Sequence, residues 1–216
     1  VDPRRFGPYA TRGYLKEKNE EAYANVFTTH YPDEERSAAR PLKTAPCYDR
    51  MKALGAVFGS VYGWERPNWF MPSADYSLSV EELNQEDPAK VLMNKNHATA
   101  LEDGRIVEKN SFRRSNYFEH VGNECKHVND KVGLLDMSAF AKCIVKGPGA
   151  EEWLEYIFAN KMPKAIGRIS LVHMLSLNGG VRAEFTVYKT GPQSYYLVSA
   201  GAFETHDHDY LFKLAP

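Results

Sequence analysis

Long apolar runs, clustered cysteines, basic blocks and nucleotide or nucleophile motifs are all missing from this sequence, and each absence removes a class of protein. No stretch of about 18 consecutive apolar residues occurs in the chain, so no membrane-spanning helix is expected and a membrane is not an expected partner. Cysteine is scarce: Cys47, Cys125 and Cys143 stand far apart and form no C-x-x-C pair. That disfavours a disulfide scaffold or a zinc knuckle and fits a reducing compartment. The 27 Lys and Arg are evenly mixed with 28 Asp and Glu, for a net charge of −1, so nucleic-acid binding lacks its electrostatic footprint. The chain has no G-x-S-x-G elbow. Its glycine pairs, GPG at 147–149 and GG at 179–180, build neither a dinucleotide fingerprint nor a phosphate loop. Repeats and low-complexity tracts are lacking too. The chain opens on Val1 with no signal-peptide pattern and stops within an incipient helix, DHDYLFKLAP, so the expectation is a piece of a longer polypeptide.

What is present is ample for a packed core: 216 residues, 43% hydrophobic and 12% aromatic, the size of one large domain or slightly more. GYLKEKNEEAYANVF predicts a short helix with a patchy apolar side, and KALGAVFGSVYGWERPNWF reads as strand and turn entering a core. Residues 71–111 are polar and weakly periodic; they read as a surface insertion with a short helix at 79–85. SNYFEHVGNECKHVNDK predicts a helix with Phe118, Val121, Cys125 and Val128 inward, and VGLLDMSAFAKCIVKGP two strand-like runs. GPGAEEWLEYIFANKMP is the clearest helix, with Pro148 near its start, Glu151 and Glu152 in the first turn, and Ala150, Trp153, Leu154, Ile157 and Phe158 inward. ISLVHML, EFTVYK and SYYLVSAG then give three strands, followed by a helix from GAFETHDHDYLFKL. This order indicates an α+β fold, a mostly antiparallel sheet with packed helices.

Two clusters invite a metal reading. His206, Asp207, His208 and Asp209 are consecutive, so on a helix they point about 100° apart and few of them could share one ion; solvation of a helix N-terminus is the better account. His120, Glu124 and His127 would stack on one helical face, but a polar face opposite the apolar stripe explains them more simply. No metal is expected. In GGVRAEFTVYK, Val181, Ala183, Phe185 and Val187 alternate with Arg182, Glu184, Thr186 and Tyr188, which puts Glu184 on the polar face of a strand. Two readings remain open there, a solvated carboxylate and a general base or ligand clamp.

In combination, ALGAVFGSVYGWERPNWF, GLLDMSAFAK, VKGPGAEEWLEYIFANKMPK, the GG strand with its carboxylate, and YYLVSAGAFETHDHDYL resemble the folate-dependent aminomethyltransferase domain, the T-protein of the glycine cleavage system. The similarity is greater still to the C-terminal half of FAD-dependent dimethylglycine and sarcosine dehydrogenases, on RPLKTAPCYDRMKALGAVFGSVYGWERPNWF and SFRRSNYFEHVGNECKHV. The resemblance implies that residues 1–44 end a central joining domain of such a flavoprotein. It implies that 45–216 form the N-terminal part of the folate domain, the first subdomain of the T-protein-like fold. The implied cofactors are tetrahydrofolate for this segment and FAD in an upstream domain. Small-molecule substrate and the flavin domain of the same polypeptide are the implied partners. The implied location is the bacterial cytoplasm or the mitochondrial matrix.

The same resemblance implies a site. Glu184 falls where the family has an aspartate facing the pterin, and it is expected to orient tetrahydrofolate and take a proton as the one-carbon unit is captured as 5,10-methylenetetrahydrofolate. His173 falls near a pocket-lining tyrosine, or is simply a satisfied strand-end histidine. Ala200 stands where the family has an asparagine, so main-chain groups of Val198 and Ser199 are expected to substitute. Phe140 is expected to border the pocket and Asp136 to cap its turn. Arg182 is expected to meet the folate glutamate tail, or else to pair with Glu184 or water. Trp64 and Trp69 pack the core or the channel wall. Alternatives from other classes are a folate-binding module without chemistry and a scaffold for the flavin domain.

Overall fold

A tight hairpin and a four-stranded sheet organise the chain into two units, Thr11–Ser138 and, among the described residues, 7–10 with Ala139–Pro216. The computed structural model describes residues 7–84 and 98–216.

In the first unit, helix α1 (Arg12–Ala24) starts where Thr11 Oγ1 accepts from the Tyr14 N–H at 3.3 Å, a helix-capping hydrogen bond. Its apolar residues are not inward: Tyr23 is 84% and the nearby Phe27 97% exposed. After the short α2 (Tyr48–Ala53), β1 (Ala56–Val61) and β2 (Trp64–Phe70) form an antiparallel hairpin. Its two loop residues, Tyr62 and Gly63, both take positive φ (52° and 84°), the turn geometry that matches strand twist. Further on are α3 (Val80–Asn84), the hairpin of β3 (Ala98–Ala100) with β4 (Ile106–Lys109), and α4 (Phe118–Asp130).

Two expectations need correction here. The stretch 71–111 is not simply a surface insertion, because Val107 on β4 is fully buried and forms one cluster with Val57 and Trp69, while Leu78 is also buried. Part of the expected helix at 79–85 lies outside the described residues. On α4 the expected stripe fails: Phe118, Cys125 and Val128 are exposed, and only Val121 packs against the cluster. The face turned inward is the polar one. His120 stacks on Trp69 with ring centroids 5.5 Å apart, and Glu124 Oε1 accepts from the Phe70 N–H at 3.1 Å. Polar ties do much of the closing elsewhere as well. Arg40 grips the buried Glu65 through Nε at 2.9 Å and Nη2 at 2.6 Å, and Nη2 also donates to the Phe58 carbonyl at 2.9 Å.

The second unit is built on β5 (Ala141–Lys146), β6 (Ile169–Leu175), β7 (Val181–Gly191) and β8 (Ser194–Ser199), in the antiparallel order β5-β8-β7-β6. Residues 131–140 are not a second strand-like run; only β5 forms. Helix α5 (Ala150–Ile157), the segment 158–162 after it and α6 (Glu204–Leu214) supply the other core residues. Ala150, Leu154, Ile157 and Phe158 meet Val172, Met174, Phe185, Val187, Tyr195 and Leu197, as the periodicity predicts, with Trp153 partly buried beside them. Glu151 ties helix to sheet. It accepts from Lys164 Nζ at 2.7 Å, from Lys189 Nζ at 2.6 Å and from the Tyr195 hydroxyl, and these donors hold its carboxyl at about 2, below the ordinary 4.5.

Candidate functional site

Strand alternation gives the sheet of the second unit two faces. Phe185, Val187, Tyr195, Leu197 and Ser199 turn to the core, while Glu184, Thr186, Tyr188, Tyr196 and Val198 turn outward. The register places outward residues in rows across the strands: Ile144, Tyr196, Tyr188 and Ile169, then Lys142, Val198, Thr186 and Leu171. Glu184 and His173 form the next pair on the β7–β6 side. The outcome is a broad outward face, apolar and aromatic toward the centre, with one carboxylate near the β6 edge.

His173 Nε2 lies 3.3 Å from Glu184 Oε2, with side chains 36% and 58% exposed. At that exposure an ion pair contributes little to stability, on the order of 0–1 kcal/mol. On its other side His173 meets Asn160, whose Oδ1 lies 2.9 Å from the His173 main-chain nitrogen and 3.3 Å from Nδ1. Sequence reasoning does not single out Asn160. Its signals are its place just after the C-terminal end of α5 and the short antiparallel bridge Phe158↔Met174 that lays 158–160 alongside β6.

The remaining expected residues are dispersed. Arg182 does not share the face of Glu184. The register shifts between Met174 and Leu175, so Arg182 occupies a bulge, an irregularity that re-aims a side chain. It lies 4.0 Å over the Tyr210 ring and its Nη2 is 3.3 Å from His206 Nε2. The same bulge leaves Val181 exposed rather than inward. Ser199 is buried on the core side. Val198 is outward, but β8 is flanked by β5 and β7, so its main-chain groups are committed to the two ladders and only its side chain reaches the face; the expected main-chain substitution is corrected accordingly. Phe140 is partly exposed just ahead of β5, and Asp136 Oδ1 accepts from the Ser138 N–H at 2.8 Å, a local turn cap.

Asp207 is buried rather than solvating a helix end, with His206 Nδ1 3.1 Å from its Oδ1. Burial, reinforced by the negative charge of Asp207, pushes the Cys143 thiol above its ordinary range, so it is no ready nucleophile. Among the described residues no group of three His, Cys, Asp or Glu could hold a metal ion. No described helix is long and apolar enough to cross a membrane.

Comparison with known proteins supplies the family. The chain is 34% identical over 209 residues to mouse dimethylglycine dehydrogenase, mitochondrial, covering 96% of this chain and 20% of that protein. It is 27% identical to the mouse pyruvate dehydrogenase phosphatase regulatory subunit, mitochondrial, over 100% of this chain and 22% of that protein. It is 24% identical to human sarcosine dehydrogenase, mitochondrial, over 97% of this chain and 24% of that protein. The chain thus spans about a fifth of the curated relatives it matches. Residues 1–45 match the FAD dependent oxidoreductase central domain, and residues 47–216 match the GCVT N-terminal domain. With most of its length inside that second match, the chain belongs to the GCVT N-terminal domain family.

Proposed function

We propose that this chain is the joining segment and first folate-facing part of an FAD-dependent N-demethylating dehydrogenase acting on dimethylglycine or sarcosine. The observation that carries the reading is the succession of two matches, a central domain of FAD-dependent oxidoreductases at 1–45 and the GCVT N-terminal domain from 47 onward. In this reading residues 1–44 end the joining domain and 45–216 begin the folate domain. Oxidation of the amine belongs to the flavin-bearing part of the same polypeptide, and the location follows the relatives: mitochondrial matrix in a eukaryote, cytoplasm in a bacterium.

The residues present fit a reduced pterin on two counts. The outward face of Leu171, Val198 and Tyr196 offers flat apolar cover, and Glu184 beside it offers an acceptor for a ring N–H. Tetrahydrofolate supplies the nitrogens that take up the one-carbon unit as 5,10-methylenetetrahydrofolate. Glu184 orients the pterin by accepting its N–H and receives the proton released at capture, while the positive charge that develops beside it is stabilised. His173 flanks the carboxylate on the far side, with Nε2 at 3.3 Å. Val198 and Phe140 give apolar contact. Arg182 and Ser199 contribute behind the sheet, through α6 and the core, and are not assigned contact with the glutamate tail.

A second reading has its own support. The similarity to a phosphatase regulatory subunit spans the whole chain, which favours a binding module without chemistry. Titration of the flavoprotein polypeptide with tetrahydrofolate, followed by tryptophan fluorescence, separates the cases. Saturable binding that Glu184→Gln weakens is expected; absence of binding in the polypeptide with its complete folate domain would refute the folate assignment.

A further inference from the structure

Asn160 carries an inference that deepens the reading of Glu184 and rests on it. A main-chain N–H can only donate, so the Asn160 side-chain atom 2.9 Å from the His173 nitrogen must be its oxygen. The same oxygen lies 3.3 Å from His173 Nδ1, and an amide oxygen only accepts, so Nδ1 carries a proton. That leaves Nε2 as the ring atom facing Glu184 Oε2. An ionised carboxylate also only accepts. With Nδ1 as the donor to Asn160, the neutral ring presents its Nε2 lone pair toward Glu184 Oε2 across 3.3 Å, so a proton arriving on the carboxylate finds an acceptor beside it.

Asn160 is itself firmly placed. β6 is the edge strand, and the Ala159 N–H donates to the His173 carbonyl at 2.9 Å, so the Asn160 oxygen takes the position that a further strand's carbonyl would occupy. Phe158, two residues before, is buried and meets the Phe185 ring edge-on, with centroids 5.1 Å apart. The peptide that presents Asn160 is thus fixed from the core, while Asn160, His173 and Glu184 sit toward the outward side.

We infer that Asn160 is a positioning residue: it fixes the ring and tautomer of His173 so that Nε2 faces Glu184 as an acceptor for the proton that the carboxylate takes up. When Glu184 accepts a proton at capture, the N–H bond of the pterin nitrogen breaks, an O–H bond forms on the carboxylate, and that O–H donates to the lone pair of His173 Nε2. No redox change is involved.

Long-range ¹H–¹⁵N correlation on the histidine-labelled chain reads the tautomer directly. Nδ1 protonated in the wild type and in Asn160→Asp, and no longer fixed in Asn160→Leu, is expected. An unprotonated Nδ1 in the wild type overturns the inference, and this needs no variant to fold. In the flavoprotein polypeptide, Asn160→Leu is expected to lower kcat for one-carbon capture roughly ten- to a hundredfold, as misplacement by about 1 Å does, with KM moving less than about threefold. Asn160→Asp, which keeps an acceptor oxygen, is expected to restore most of the loss, and flavin reduction is expected to be unchanged in both. Impaired capture in Glu184→Gln with normal capture in Asn160→Leu overturns this inference alone. Normal capture in both overturns the folate reading and the inference with it. A loss that Asn160→Asp does not rescue assigns Asn160 a merely structural part and also overturns the inference.

Discussion

The two units are closed by different means. In the unit of residues 139–216, α5, α6 and all four strands contribute to one continuous apolar core, and Leu154, Val172, Met174, Val187, Tyr195 and Leu197 are wholly buried. In the unit of residues 11–138, the described apolar cluster is Val57, Trp69 and Val107, and charged or polar side chains do the rest: Arg40 on Glu65, Glu124 on the Phe70 N–H, His120 on the Trp69 ring. A core of many apolar contacts tolerates an exposed polar pair on its outer face. A unit held by a few buried charges depends on each of them.

That contrast ranks the expected effects. Arg40→Met should be the most damaging change in the hairpin unit, because it leaves Glu65 buried without its cation; removing one partner of a buried pair costs about 3–5 kcal/mol. Hydrogen exchange at the β1 and β2 amides would show it, and the double change with Glu65→Leu should recover most of the loss. Full tolerance of Arg40→Met would break the comparison. Leu154→Ala should destabilise the sheet unit by about 2–5 kcal/mol through lost burial and a residual cavity, read at the β7 and β8 amides.

Acid titration sharpens the comparison, since two carboxyls respond with opposite sign. Glu151 in the sheet unit is depressed to about 2 by Lys164, Lys189 and Tyr195. Its contribution is therefore complete above its ordinary 4.5 and is lost as pH falls toward about 2; Glu151→Gln should flatten that acid limb. Glu108 in the hairpin unit is raised by burial, which the hydrogen bond from Thr99 Oγ1 at 2.8 Å only partly offsets. Its contribution is present below its ordinary value and is lost as pH rises through the raised one, so Glu108→Gln should flatten the opposite limb. Urea midpoints across pH measure both, and a common sign would contradict the assignment.

Legibility in the sequence follows the same division. Where apolar periodicity governs packing, it can be read directly: α5 with Leu154 and Ile157, and the alternation of Phe185 and Val187. It misleads where polar groups close the structure. The stripe of Phe118, Cys125 and Val128 is regular yet exposed, since Glu124 and His120 have specific partners on β2 that no periodicity announces. Val107 looks like part of a polar insertion because Arg105, Glu108 and Lys109 lie close by in the chain, though Glu108 is itself buried. In the candidate site, the outward direction of Glu184 follows from a period of two. Its pairing with His173 depends on cross-strand register, and the departure of Arg182 on a bulge, neither of which local pattern specifies. Asn160 is invisible for a further reason: its role lies in a side chain standing in for a strand.

The central claim is that the Glu184 carboxylate serves one-carbon capture rather than amine oxidation. Rapid-mixing comparison of flavin reduction with 5,10-methylenetetrahydrofolate formation, in the flavoprotein polypeptide carrying Glu184→Gln, tests it most directly. Capture slowed by roughly 10²-fold or more, as for loss of a general base, with flavin reduction within about twofold of wild type, is the predicted result. Equal loss of both rates, or no loss of either, would contradict the account.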